Sequence, residues 1–201
     1  IEFCYDSTML RKIASILFIL TVFGVLIALR FSVPDSVSVI ITDSNGSTAY
    51  QKSSVLKRGQ FVKTGKGEYL AIQIGASIQL WLDENTTIEL KRTYVDERSI
   101  GFTRGRIVVE STDQTPLLIE TKQTQNIVQN AVASFVNYDF RDTISVIPFE
   151  GSVESGIKKI NKYFLIPKSV NIHEIPPFKI EPIEFKKDMG VYATFYDWVG
   201  K

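Results

Sequence analysis

Residues Ile13–Leu29 read I-A-S-I-L-F-I-L-T-V-F-G-V-L-I-A-L, without a charged side chain. No other stretch of the chain limits its fold so severely. At ~1.5 Å per residue, a helix of roughly 17 residues spans about 26 Å, the short end of a bilayer core. Leu10 and Phe31 lengthen the apolar segment if Arg11, Lys12 and Arg30 carry their charges to the interfaces. A cleavable signal peptide has a shorter apolar core, about 7–15 residues, and small residues at its cleavage site. Leu29-Arg30-Phe31 does not fit that site, and a buried globular helix does not suit a run that is apolar all round and flanked by charge. The expectation is an uncleaved transmembrane helix over residues 13–31. Two basic residues precede it and Arg30 closely follows, which by the positive-inside rule puts residues 1–12 in the cytoplasm and the rest outside. The sequence opens on Ile1, so either it is a piece of a longer chain or Met9, in M-L-R-K, is the start.

Past the span, apolar residues recur with a period near two, the signature of half-buried strands. Expected strands are Tyr69–Ile74, Ile78–Leu82, Thr87–Lys91, Ile107–Ser111, Leu117–Thr121, Ile127–Gln129, Val132–Phe140 and Ile144–Phe149. Gly75, Asp83-Glu84-Asn85, Gly105, Asp113, Asp142 and Gly151 punctuate them as turns. Asn45-Gly46, between V-S-V-I-I and S-T-A-Y-Q, predicts a hairpin, because both residues tolerate positive φ. Many short strands at close spacing indicate an all-β sandwich, roll or barrel over residues 37–156. Residues 157–201 change character, with prolines at 167, 176, 177 and 182 that suit an extended or edge segment. The aromatic end, M-G-V-Y-A-T-F-Y-D-W-V-G-K, is read as packing back on the β domain as a short helix or strand, with an exposed partner site as the alternative.

Composition removes several functions. A net charge of +1 with interspersed signs argues against a nucleic-acid binder. One cysteine, Cys4, and one histidine, His173, leave no disulfide framework and no zinc cluster of the usual kind. The stretch G-Q-F-V-K-T-G-K-G-E-Y (Gly59 to Tyr69) has the look of a phosphate loop but not its spacing. Its second glycine comes one residue late, Lys66 precedes Gly67 instead of a hydroxyl residue, and a strand follows where a helix is needed. A turn between strands accounts for it better.

L-K-R-G-Q-F-V-K-T-G (Leu56 to Gly65) resembles the leucine, x-x-Gly, x-x-hydrophobic, x-Thr-Gly signature of FecR-type extracytoplasmic domains. The run Y-L-A-I-Q-I-G-A-S-I-Q-L-W-L-D-E-N-T-T-I-E-L resembles that family's two strands with their Gly-Ser and Asn-Thr turns. G-R-I-V-V-E-S, L-L-I-E-T and F-E-G-S-V-E-S follow in the family's order. The family turn residues fall on Gly59, Thr64, Gly65, Ser77, Asn85, Thr86, Gly105, Thr121 and Gly151. Gly75-Ala76-Ser77 replaces the usual Asp-Gly-Ser, and Ala133-Ser134 stands where Gly-Thr is usual. The resemblance implies a FecR-like β-sandwich or β-roll, held by one helix in a bacterial cytoplasmic membrane with its domain outside. It implies a binding or sensing module in cell-surface signalling or transport regulation. The expected partners are membrane lipid along residues 13–31 and an envelope protein, with no cofactor, metal or nucleic acid. The dozen residues before the span are too few for the family's cytoplasmic anti-sigma region, so either that region belongs to a longer chain or this is an anchored FecR-like domain without it.

No pattern of acids, bases and nucleophiles predicts catalysis. Asp83-Glu84 reads as a solvated turn, Glu110 and Glu120 as carboxylates on separate strands, and Asp139-Phe140-Arg141-Asp142 as a polar hairpin tip. Asn45-Gly46-Ser47 and Asn85-Thr86-Thr87 fit the glycosylation pattern and also ordinary turns. The alternative function is an envelope-structural or cell-wall-polymer-binding protein, which an open aromatic groove at Trp81 or Trp198 would favour.

Overall fold

Period-two alternation becomes a closed core in the computed structural model, which describes residues 7–31, 35–47, 49–112, 114–156, 158–168 and 193–200. Cys4, Asp113, His173 and the prolines at 176, 177 and 182 lie outside the described residues. The chain forms two compact units, Ile1–Asp35 and Ser36–Lys201.

The first unit contains helix α1, Ser7–Phe31. Its apolar side chains are exposed on every side, Phe18 to 71% and Leu20 to 63%. Ser15 Oγ donates to Arg11 O at 2.9 Å and Thr21 Oγ1 to Leu17 O at 2.6 Å, so both hydroxyls are satisfied inside the helix. Among the described residues no helix is long and apolar enough to cross a membrane. The span expected over residues 13–31 runs past the described side chains, which stop at residue 26.

The second unit is mostly antiparallel β-sheet. Its strands are β1 Val39–Asn45, β2 Phe61–Lys63, β3 Tyr69–Ile74, β4 Ile78–Leu82, β5 Thr87–Thr93, β6 Arg98–Ser111, β7 Leu117–Glu120, β8 Gln125–Val128, β9 Ala131–Asn137, β10 Thr143–Glu150, β11 Val153–Ser155, β12 Lys158–Ile160 and β13 Phe164–Pro167. Strand β6 organises them. Its Gly105–Ser111 half pairs with β4 and β9 in a half-sheet ordered β1-β3-β4-β6-β9-β10-β13. Its Arg98–Arg104 half pairs with β5 and, in parallel, with β7 in a second half-sheet ordered β2-β5-β6-β7-β8-β11-β12. The bend between the halves falls at Gly105, which takes φ +103. Leu70, Ile72, Leu80, Leu82, Ile107, Val109 and Phe135 from one half meet Ile88, Leu90, Ile100, Phe102, Leu117, Ile119 and Val153 from the other in one buried core.

Two local expectations are corrected. Asn45-Gly46 does not close a two-residue hairpin: β1 pairs with β3, and the chain returns alongside β1 only through Ser53–Leu56. Gly46 instead packs on the next turn, where a Cβ would come 2.5 Å from Gly67 O. Gly105 does not end a strand, so β6 extends well upstream of the expected Ile107. Past Gly156, β12 and β13 are edge strands, with Pro167 at the end of β13. Helix α2, Ala193–Val199, follows after the segment 169–192.

Candidate functional site

Thr64, Gly65, Asn85, Thr86 and Gly105 of the turn motif converge at one corner, where β2, β4, β5 and β6 meet. Thr64 Oγ1 donates to Asp83 O at 2.5 Å and accepts from Thr86 N at 2.9 Å. Thr86 Oγ1 both donates to Arg106 O and accepts from Arg106 N, each at 3.0 Å. Asn85, at φ +54, donates its amide to Gly65 O at 3.1 Å. Buried threonines thus replace strand partners where the ladder turns from one half-sheet to the other. The loop amides that suggested a phosphate cradle are occupied by the chain's own carboxylates. Gly65 N donates to Glu68 Oε2 and Gly67 N to Glu84 Oε2, both at 2.6 Å.

Asp83 is not the solvated turn residue its sequence suggests. It is 4% exposed, and its Oδ2 lies 3.5 Å from Nη1 of the buried Arg106. Burial raises its carboxyl to about 6, against the opposing pulls of Arg106 and the hydrogen bond from Glu84 N. Burial, then the Asp83 and Glu84 charges, likewise push the Tyr69 phenol upward. Only the distance in sequence between Asp83 and Arg106 hid this pair. An arginine beside an alternating apolar strand was the available signal.

Arg106 opens onto the outer face of the first half-sheet, which α2 covers. Phe195, Tyr196 and Val199 are buried there against Val108 and Val132, with Tyr69, Trp81, Phe149 and Trp198 around them. The Arg106 guanidinium lies 5.3 Å from the Tyr196 ring centre, and Tyr196 Oη lies 3.1 Å from Ser134 Oγ. Trp81 and Trp198 therefore help close this cluster and do not line an open aromatic groove. The remaining named residues scatter. Ser77 Oγ accepts from Arg98 Nη1 at 3.1 Å, and Thr121 Oγ1 closes the β7–β8 turn by accepting from Thr124 N at 3.0 Å. Gly151, at φ +71, turns β10 into β11. Arg11 and Lys12 are exposed on α1, and Arg30 lies in α1 beyond the described side chains. Glu110 and Glu120 sit on opposite half-sheets and do not converge. Asp139 pairs with Arg104 at 3.4 Å, and Asp142 O accepts from Lys168 N at 2.8 Å. Among the described residues no group of acidic, histidine or cysteine side chains could hold a metal.

Residues 60–154 match the family model described as FecR protein, so the resemblance carried by the turn motif is shown over that stretch. Among curated proteins none matches. Two crystal structures of a candidate anti-sigma factor from Parabacteroides distasonis, at 1.65 and 2.50 Å resolution, are similar in part. They share 15% and 14% identity with this chain at a TM-score of 0.47 each, covering 56% of it. The chain spans 57% and 56% of those two structures.

Proposed function

We propose that this chain is a FecR-like binding or sensing module, held at a bacterial cytoplasmic membrane by α1 with its β domain outside, and acting through protein contacts without catalysis. The observation that carries the reading is the FecR match over residues 60–154, which lies downstream of a charge-free apolar stretch. The match supports a regulatory or signalling role. The β domain would adopt the family's β-sandwich or β-roll, with the motif residues Thr64, Gly65, Asn85, Thr86 and Gly105 shaping its corner. An envelope protein would dock on strand edges and loops, where β2 at one sheet edge presents Phe61 half-exposed. Any signal would pass through α1.

Two measurements test this. Protease added to spheroplasts should digest the β domain while a cytoplasmic control survives, and alkaline carbonate should leave the chain in the membrane pellet. A photo-crosslinking residue placed at Phe61 should trap an envelope protein in intact cells, and the same probe at core-facing Val62 should not. A β domain protected outside, a chain released by carbonate, or equal trapping from both positions overturns the reading.

A further inference from the structure

We propose that a groove on the outer face of the second half-sheet binds a neutral oligosaccharide. The groove has a volume of about 500 Å³, within the range of small-molecule sites. Its floor is Gly101, which the strand register places between Glu89 on β5 and Glu120 on β7. Gly101 is not among the glycines with positive φ, so its backbone conformation does not demand glycine. A glycine inside a strand weakens it, and marks a place where something approaches the backbone closely. Here a Cβ would lie 3.0 Å from Lys91 Cε and 3.4 Å from Glu89 Oε2. Lys91 arches over the bare Cα to reach Glu120 Oε2 at 2.9 Å.

The walls decide the ligand class. Lys91, Lys122 and Lys168 face Glu89, Glu120 and Asp139, so the lining charges cancel. A polyanion such as nucleic acid would meet three carboxylates. An extended peptide gains no main-chain pairing, because the floor is a sheet face whose backbone groups are engaged in the ladder. An apolar ligand would desolvate charges on every wall. Closely alternating donors and acceptors suit hydroxyl groups, each of which can donate to a carboxylate and accept from an ammonium. A flat apolar platform adjoins the groove in sequence: Asp139 lies between Tyr138 and Phe140, whose rings stack at 5.3 Å, with Phe140 78% exposed. An exposed aromatic at a turn tip contributes little to the fold, and its face can stack on a sugar ring.

The inference goes beyond the sensing reading and has its own test. The full chain, ¹⁵N-labelled in a sugar-free detergent, is titrated with cellotriose, maltotriose and the trimer of N-acetylglucosamine to about 10 mM, enough to detect millimolar binding. At least one should shift the amide signals of Gly101, Thr103, residues 120–123 and residues 137–140. Gly101→Val, which fills the floor with a strand-compatible side chain, and Phe140→Ser, at an exposed position, should each weaken that binding by about tenfold with the spectrum otherwise retained. Should Gly101→Val fail to fold, Phe140→Ser decides alone. Shifts absent for all three sugars, shifts mapping elsewhere, affinity unchanged in the variants, or binding of an alternating Glu-Lys peptide in place of sugar would each overturn it. None of these results touches the crosslink at Phe61 or the protease topology.

Discussion

Arg106 Nη1 lies 3.5 Å from Asp83 Oδ2, with both side chains almost entirely out of water. Loss of hydration is the larger influence on Asp83, so its carboxyl titrates at about 6 instead of 3.8. Between those two values the folded protein keeps a proton that the unfolded chain has released. The stability this proton contributes is present in full below the unfolded value and falls as pH rises through 6, by about 2–3 kcal/mol. Asp83→Asn cannot ionise and lacks the slope. Urea unfolding of both proteins from pH 4 to 7 should show the parent's stability relative to the variant declining by that amount; a constant difference would sink the assignment.

Gly105 and Gly59 both have positive φ, +103 and +79, yet substitution should separate them sharply. A Cβ at Gly105 would lie 2.5 Å from Thr86 Cα, inside the corner. Nothing lies within 4 Å of one at Gly59. Gly59→Ala carries only conformational strain, about 1–2 kcal/mol. Gly105→Ala must also displace backbone, and should cost about 4 kcal/mol or more, or prevent folding. Equal midpoints in urea would contradict this account of the bend.

That corner also shows what the sequence disclosed. Alternation located β3 and β4 at Tyr69–Ile74 and Ile78–Leu82, because each has one face in the core and the turn between them is local. It missed the Arg98–Arg104 half of β6, since Gly105 looks like a strand end when it is a bend inside one strand. The motif glycines and threonines were visible as turn chemistry. Their convergence was not, because Thr64, Thr86 and Arg106 are brought together by strand pairing across the whole fold. Asp83 was misjudged for the same reason: an Asp-Glu-Asn triplet signals water unless a distant arginine is known to lie beside it.

Thr86 supplies both a donor and an acceptor to the backbone of Arg106, and its side chain is buried. Thr86→Val preserves shape but leaves those two groups without that partner, a loss of about 2–3 kcal/mol. Thr86→Ser keeps the hydroxyl and should lose about 1 kcal/mol, the value of one methyl group. Thr64→Val disturbs the same network, so the double valine variant should be less destabilised than the sum of the singles. Additive losses in urea unfolding would show that the two threonines act separately.

Helix α2 has seven residues, too few to persist alone in water, so docking on the sheet must hold it. Burying Phe195, Tyr196 and Val199 contributes about 1.5–3 kcal/mol each by area, before the ordering of the helix is subtracted. Deleting residues 193–201 would uncover Val108, Val132 and Trp81 together, an apolar patch on a face that antiparallel sheets commonly leave to solvent. The deletion also removes Trp198, leaving Trp81 as the single tryptophan. The fluorescence of the shortened chain should therefore report that face directly. We expect its emission to shift to the red and its unfolding midpoint to fall. Tyr196→Phe, which keeps the ring but loses the hydroxyl contact with Ser134 Oγ, should cost about 1 kcal/mol and leave the emission in place. An unshifted emission and unchanged midpoint after deletion would mean that α2 does not cover this sheet in solution.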